Sequence, residues 1–158
     1  MNDPLRDPAP LVRRVYAYVA YRLGDGVDAE DVMSETFERA LRYRQSFDPA
    51  RGTPVAWLVG IARRCADDHL RGRGVEVPTD DEALLDGAGD PGPADSAILR
   101  LDLAAAVANL SVRDRELIAL RYGADLKVKD IAALLGRSTN SVEVALHRAL
   151  GQLRRGFD

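Results

Sequence analysis

The sequence predicts an all-α fold, two small helical domains joined by a flexible acidic linker, and three observations carry that prediction. Apolar residues recur at helical spacing in several separate stretches, and no strand-like alternation or internal repeat occurs. One segment rich in Gly, Pro and Asp, residues 72–97, interrupts the helical pattern. Near the C-terminus two short amphipathic runs flank a Gly, the signature of a helix-turn-helix. The expected units are an N-terminal three- to four-helix bundle over residues 1–71, a linker over 72–97, and a helix-turn-helix domain over 98–158.

Each element has its own warrant. Residues 11–23 place Val12, Val15, Tyr16, Val19 and Leu23 on one face of a first helix, which ends at Gly24 and Gly26. Asp28 stands where an N-cap belongs, with Glu30 and Asp31 in the first turn, where the helix dipole favours negative charge. Ala29, Val32, Met33, Thr36, Phe37, Ala40 and Leu41 then form the stripe of a second helix. Residues 45–52 carry turn-forming types and no period, so they predict a loop. Thr53 is a cap and Pro54 sits at the first helical position, where a missing N–H costs nothing. The third helix turns Leu58, Ile61, Ala62, Cys65 and His69 inward, with Trp57 as a large anchor. Arg63, Arg64, Asp67, Asp68 and Arg71 are expected outside.

The C-terminal block follows the same logic. Residues 98–110 are rich in Ala and Leu, and Ser111 caps a helix carrying Leu117, Ile118 and Leu120. Val128, Ile131, Ala132 and Leu135 make the first half of the helix-turn-helix, with Gly136 as its left-handed stop. Ser138 caps the second half, whose stripe is Val142, Leu146, Ala149 and Leu153. In this motif the second helix enters the DNA major groove.

Composition narrows the function. The hydrophobic fraction of 46% supports a folded core. One cysteine, Cys65, excludes an intramolecular disulfide, and no Cys/His spacing suggests zinc. The polar start resembles no signal peptide and no apolar run is long enough to span a bilayer, so a cytoplasmic protein without membrane insertion is expected. The net charge of −3 is unevenly divided: residues 1–71 are neutral, 72–97 carry −6, and 98–158 carry +3. Two weakly charged ends release few counterions, so DNA affinity without a helper should be modest.

Three apparent sites are declined. Residues 87–92 fit a dinucleotide-binding glycine pattern, but follow no strand and place Asp90 and Pro91 where phosphate would approach. Cys65 and His69 lie four apart, more in keeping with packed side chains than with a nucleophile and base or a metal site. The carboxylates around residue 30 belong to a solvated face or a docking surface. No catalytic residue, metal ligand or cofactor is expected.

At this point the order of elements resembles a family. Residues 28–40, read Asp-Ala-Glu-Asp-Val-Met-Ser-Glu-Thr-Phe-Glu-Arg-Ala, are similar to the second region of extracytoplasmic-function sigma factors, the small promoter-recognition subunits of bacterial RNA polymerase. Phe47-Asp48-Pro49-Ala50-Arg51-Gly52, followed by Ala56-Trp57-Leu58 and Ile61-Ala62-Arg63, resembles that family's loop and promoter-reading helix. Residues 110–122, then Asp130-Ile131-Ala132, Leu135-Gly136 and Leu146-His147-Arg148-Ala149, resemble its fourth region.

The resemblance implies roles. Asp28, Glu30, Asp31, Glu35 and Glu38 would dock on bacterial core RNA polymerase. Phe47, Asp48, Arg51, Trp57, Arg63, Arg64, Asp68 and Arg71 would hold unstacked bases of the −10 promoter element. Lys127, Lys129, Arg137, Ser138, Thr139, Asn140, Ser141, Glu143, Val144, His147 and Arg148 would meet the duplex −35 element. The linker would run through the polymerase's RNA exit path, and an anti-sigma antagonist is a further candidate partner. Two departures stand out. Arg64 occupies a place where the family usually has Asn, and Asn140, Glu143, Val144 and Ala145 fill outer positions where Lys or Arg are usual. Two other classes stay open: a self-sufficient helix-turn-helix regulator, and a sigma-like interaction protein with weakened DNA reading.

Overall fold

A computed structural model describes residues 3–77 and 105–156. Every regular element among them is helical. Helix α1 spans Pro8–Leu23, α2 Val27–Arg42, α3 Pro54–Gly72, α4 Val112–Ile118, α5 Val128–Leu135 and α6 Thr139–Arg155. A 3-10 turn at Arg44–Ser46 follows α2, and residues 105–108 form a helical turn ahead of α4. The linker expected over 72–97 lies outside the described residues from position 78 onward, as does the first part of the helix expected over 98–110.

Local chemistry explains the boundaries. Thr53 Oγ1 accepts from the Ala56 amide at 3.3 Å, Ser111 Oγ from Asp114 at 3.1 Å and Ser138 Oγ from Ser141 at 3.1 Å. Each satisfies a donor that an α-helix leaves unpaired, at about 1 kcal/mol. Gly136 ends α5 with φ 67° and ψ 36°, the left-handed conformation that costs an L side chain about 1–2 kcal/mol. Two boundaries move. Helix α1 starts at Pro8, because Pro8 and Pro10 are tolerated in a first turn. Asp28 is not the cap of α2: Gly26 holds that place without a side-chain cap, and Asp28 lies inside the first turn. Beyond α4 the backbone widens into a π-helical turn at Ala119–Gly123 instead of continuing as one α-helix.

The buried face of α1 is rotated from the expected one. Val15, Tyr18, Val19 and Arg22 are buried, Val12 is 41% exposed and Tyr16 is half-buried. The cause is that α1 packs on two sides. It meets α2 and α3 on one flank and the π-helical turn and α4 on the other. A stripe read for one partner therefore misses the residues that serve the second.

The two halves, expected as separate domains, share one hydrophobic core. Val15, Val19, Val32, Leu58, Val59 and Ala62 of the first half lie in the same buried cluster as Leu117, Leu120, Leu126, Ile131 and Val142 of the second. A smaller cluster of Ala106, Val107, Leu110, Ile118, Ala149 and Leu153 closes the C-terminal end. Burying side chains of this size contributes about 1.5–3 kcal/mol each, so the halves are held together by more than their tether. Small residues ease the approach at two positions, against backbone at Gly123 and against a movable side chain at Gly60. A Cβ on Gly123 would lie 3.0 Å from the Ala17 carbonyl and the Tyr18 Cα, and one on Gly60 would lie 3.3 Å from Leu134 Cδ1.

Candidate nucleic-acid interface

The loop before α3 and the start of that helix form the first candidate surface. Asp48 shapes the loop: its Oδ1 accepts from the Ala50 amide at 3.0 Å and its carbonyl from the Arg51 amide at 3.0 Å. This turn and the Thr53 cap set Phe47 against Trp57, edge to face, with centroids 5.7 Å apart and planes at 65°. Aromatic pairs favour such a T-shaped arrangement. The pair borders a cavity of about 340 Å³ that also touches Asp48, Arg51 and Thr53. Its far wall is Asp130, Ala133 and Leu134 of the helix-turn-helix. A neighbouring cleft of about 540 Å³ is lined by Arg39, Arg42, Tyr43, Ser46, Trp57, Ile61 and Arg64. Here three guanidinium groups stand beside two aromatic rings. That set offers what single-stranded DNA asks for, since bases stack on rings and phosphates pair with cations.

Sequence reasoning missed Arg39, Arg42 and Tyr43 in this cleft, although Tyr43 is 54% exposed. A large aromatic side chain just past the end of an amphipathic helix, two residues before the loop, was the available signal. Arg42 also pairs with Glu38 at 2.8 Å and Arg39 with Glu35, both one helical turn apart. Such exposed pairs hold their charges with well under 1 kcal/mol. They leave the arginines available to phosphate.

The outer face expected for α3 divides. Arg64, Asp68 and Arg71 are exposed, as expected. Arg63 and Asp67 are covered by the second half and by α1. Arg63 Nε donates to Glu116 Oε2 at 2.9 Å, and Arg22 Nη1 donates to Asp67 Oδ1 at 2.7 Å. Arg63, nominated for −10 DNA, therefore has an intramolecular acceptor in this arrangement.

Helix α6 carries the second surface. Ser138, Thr139, Asn140, Glu143, Val144 and His147 are exposed, Ser141, Arg137 and Arg148 are half-buried, and Lys127 and Lys129 stand exposed at the entry to α5. Ala145 corrects the expectation: it is 7% exposed and belongs to the core, so it is not an outward position awaiting a cation. Ser141 and Val142 precede it, and the stripe through Val142, Ala145, Leu146 and Ala149 is wider than the sequence reading allowed.

The acidic face of α2 is uneven. Glu30 and Asp31 are exposed. Asp28 instead accepts from Arg73 at 2.6 Å and lies 3.2 Å from His69 Nε2, tying the start of α2 to the end of α3. Glu35 and Glu38 carry the arginine pairs already described. Cys65 is fully buried, and burial pushes its thiol pKa up, which keeps it protonated. Among the described residues no helix is long and apolar enough to cross a membrane.

Known families match both halves of the chain. Residues 9–75 match the family Sigma-70 region 2 and residues 100–153 match Sigma-70, region 4. The chain is 34% identical over 145 residues to the ECF RNA polymerase sigma factor BldN of Streptomyces coelicolor, covering 89% of this chain and 55% of that protein. It is 34% identical over 145 residues to the ECF RNA polymerase sigma factor SigF of Caulobacter vibrioides, covering 89% and 77% respectively. The chain thus spans little more than half the length of the first relative and about three quarters of the second. The sigma factor RpoE of Bartonella quintana, solved in complex with the anti-sigma factor NepR, superposes with a TM-score of 0.71 at 26% identity, covering 93% of this chain and 91% of that one. With both regions in order and this identity along most of its length, the chain belongs to the ECF family of RNA polymerase sigma factors.

Proposed function

We propose that this chain is a transcription initiation factor that binds bacterial core RNA polymerase in the cytoplasm and brings it to promoter DNA. The observation that carries the reading is the Phe47–Trp57 pair beside the cluster of Arg39, Arg42 and Arg64, set at the head of a region 2 helix. In this role the pair and the cluster capture unstacked −10 bases together with Asp48, Arg51, Asp68 and Arg71. Stacking is worth about 1–3 kcal/mol per base and tolerates any base.

The face of α6 then reads the −35 duplex. Asn140 can pair with adenine and Glu143 can accept from the cytosine amino group, while Arg137, Arg148, Lys127 and Lys129 meet phosphates. Glu30 and Asp31 offer the free part of an acidic docking face for polymerase, with Asp28, Glu35 and Glu38 at its margin. This role consists of binding and base capture and needs no cofactor. The complex of the similar RpoE with NepR supports an anti-sigma antagonist as a further partner here.

Reconstitution tests the proposal. Purified chain, core polymerase and a promoter library should yield transcripts only when all three are present. Tight binding of the chain alone to palindromic duplex DNA would favour a self-sufficient regulator.

A further inference from the structure

The roll of α6 about its own axis is fixed by what it buries. Val142, Ala145, Leu146 and Ala149 lie in the core. Ser138 holds the first turn, through the Ser141 amide at 3.1 Å and the Ser141 hydroxyl at 2.9 Å. These anchors leave Asn140, Glu143, Val144 and His147 facing away from the protein. At about 100° per residue, Asn140 and His147 fall nearly in line along the helix, about 20° apart. Val144 lies about 40° to one side of Asn140 and Glu143 about 60° to the other. From Asn140 to His147 the strip runs about 10 Å, or about three base-pair steps of duplex DNA.

Val144 is out of keeping with that strip. It is 42% exposed and, among the described residues, is the one large apolar side chain of α6 that faces outward. A lone exposed hydrophobe is ordinary on a protein surface. This one stands mid-strip, with Asn140 one turn before it and His147 one turn after. Its neighbour Ala145 belongs to the core, so Val144 alone supplies the strip with a wholly apolar group.

The chemistry of that side chain leaves it one use in a DNA groove. Branching at Cβ gives a helical Val essentially one χ1 rotamer, so its methyl groups are held in place with little entropy left to lose. It neither donates nor accepts a hydrogen bond, so phosphates and polar base edges gain nothing from it. Set against cytosine N4 or guanine O6, it would remove water without replacing the lost hydrogen bond. The major groove offers one apolar group, the 5-methyl of thymine.

We propose that Val144 is a specificity-determining residue of the promoter-reading face: it packs on the 5-methyl group of one thymine in the −35 duplex, between the positions met by Asn140 and His147. This rests on the role of α6 given above. Glu143, on the other side of the strip, completes the choice, because its carboxylate accepts from cytosine N4 and repels the acceptors of guanine. One base is then selected by a hydrogen bond and a nearby one by contact. Removing a methyl group from water changes affinity about fourfold, which discriminates between sequences without raising affinity for DNA at large.

The test deletes the methyl group from the DNA. A −35 duplex selected with the full chain and core RNA polymerase is remade with deoxyuridine in place of each thymine in turn. Each change removes one methyl and leaves every hydrogen-bonding group in place. Binding of the natural chain with polymerase should fall about fourfold at one position and little at the others. Val144→Ala should lose about as much on the unmodified duplex and be indifferent to that uracil, with helix content by circular dichroism unchanged. Should Val144→Ala lose helix content, Val144→Thr decides, because it keeps the branching and one methyl and should show a smaller uracil effect than the natural chain. Uracil without effect at every position would overturn the proposal. So would a selected −35 duplex that holds no A·T pair, or a Val144→Ala loss equal on the thymine and uracil duplexes. The same series is read with the chain alone at low salt, where no polymerase is needed. Methyl dependence there, with no transcripts from the chain and polymerase together, would remove the initiation role and keep the Val144 contact. No duplex binding in either format would end both.

Discussion

Around the head of α3, Phe47 and Trp57 pack edge to face beside Arg39, Arg42 and Arg64, whereas the exposed side chains in the first half of α6 are Thr139, Asn140, Glu143, Val144 and His147. The first surface is aromatic and cationic and has a cavity at its edge. The second is polar, with Glu143 among uncharged side chains and cations at its margin, and lies along one helix. The contrast matches two states of DNA. Unstacked bases offer a π-face and a flexible phosphate chain, which rings and guanidinium groups hold without regard to sequence. Paired bases offer only their edges in the groove, where a carboxylate or an amide can discriminate but adds little affinity. In the proposed role, a single chain carrying both surfaces holds one element of a promoter open while reading another closed.

The largest expected effect falls on the first surface. Trp57→Ala removes one ring of the stacking pair and should weaken promoter melting by about 1–3 kcal/mol, read as loss of permanganate-reactive thymines at the −10 element, while protection at −35 persists. Equal loss at both elements would erase the distinction between the surfaces. Next comes Glu30→Lys combined with Asp31→Lys, which reverses the exposed part of the acidic face. Polymerase binding by fluorescence anisotropy should fall on the order of tenfold, with helix content unaltered. A smaller effect belongs to the second surface. Arg148→Ala should weaken duplex binding of the polymerase complex by roughly 0.5–1 kcal/mol across all sequences and lower the salt slope by about 1; a loss confined to one base pair would make Arg148 a reader of bases. The smallest concerns Cys65. Burial and a raised pKa should leave its thiol unreactive towards a maleimide in the folded chain, and rapid labelling would show that α3 opens more readily than its packing implies.

Legibility followed the same contrast between local and distant determinants. Helices α2, α3, α5 and α6 were readable because one apolar stripe, with a Ser, Thr or Gly at one boundary at least, determines each locally. The Phe47 and Trp57 candidates came from residue type and place, though their T-shaped contact depends on the Asp48 turn and could not be read from spacing. Helix α1 was misread because Arg22, a charged residue, occupies a position in its buried stripe, and a hydrophobic pattern counts it as solvent. Arg63 and Asp67 were placed outside for the same reason: their cover comes from Glu116 and Arg22, 53 and 45 residues away in sequence. Ala145 was assigned outward because a small residue marks neither face. A contact between halves that includes a carboxylate at Glu116 and a close approach at Gly123 leaves almost no trace in periodicity.

The measurement that bears most directly on the account is a footprint of one library-selected promoter with the chain alone, core polymerase alone, and the two together. The account predicts protection at −35 and reactive thymines at −10 in the combined sample only. Protection of the −35 duplex by the chain alone at physiological salt, at nanomolar concentration, would contradict it.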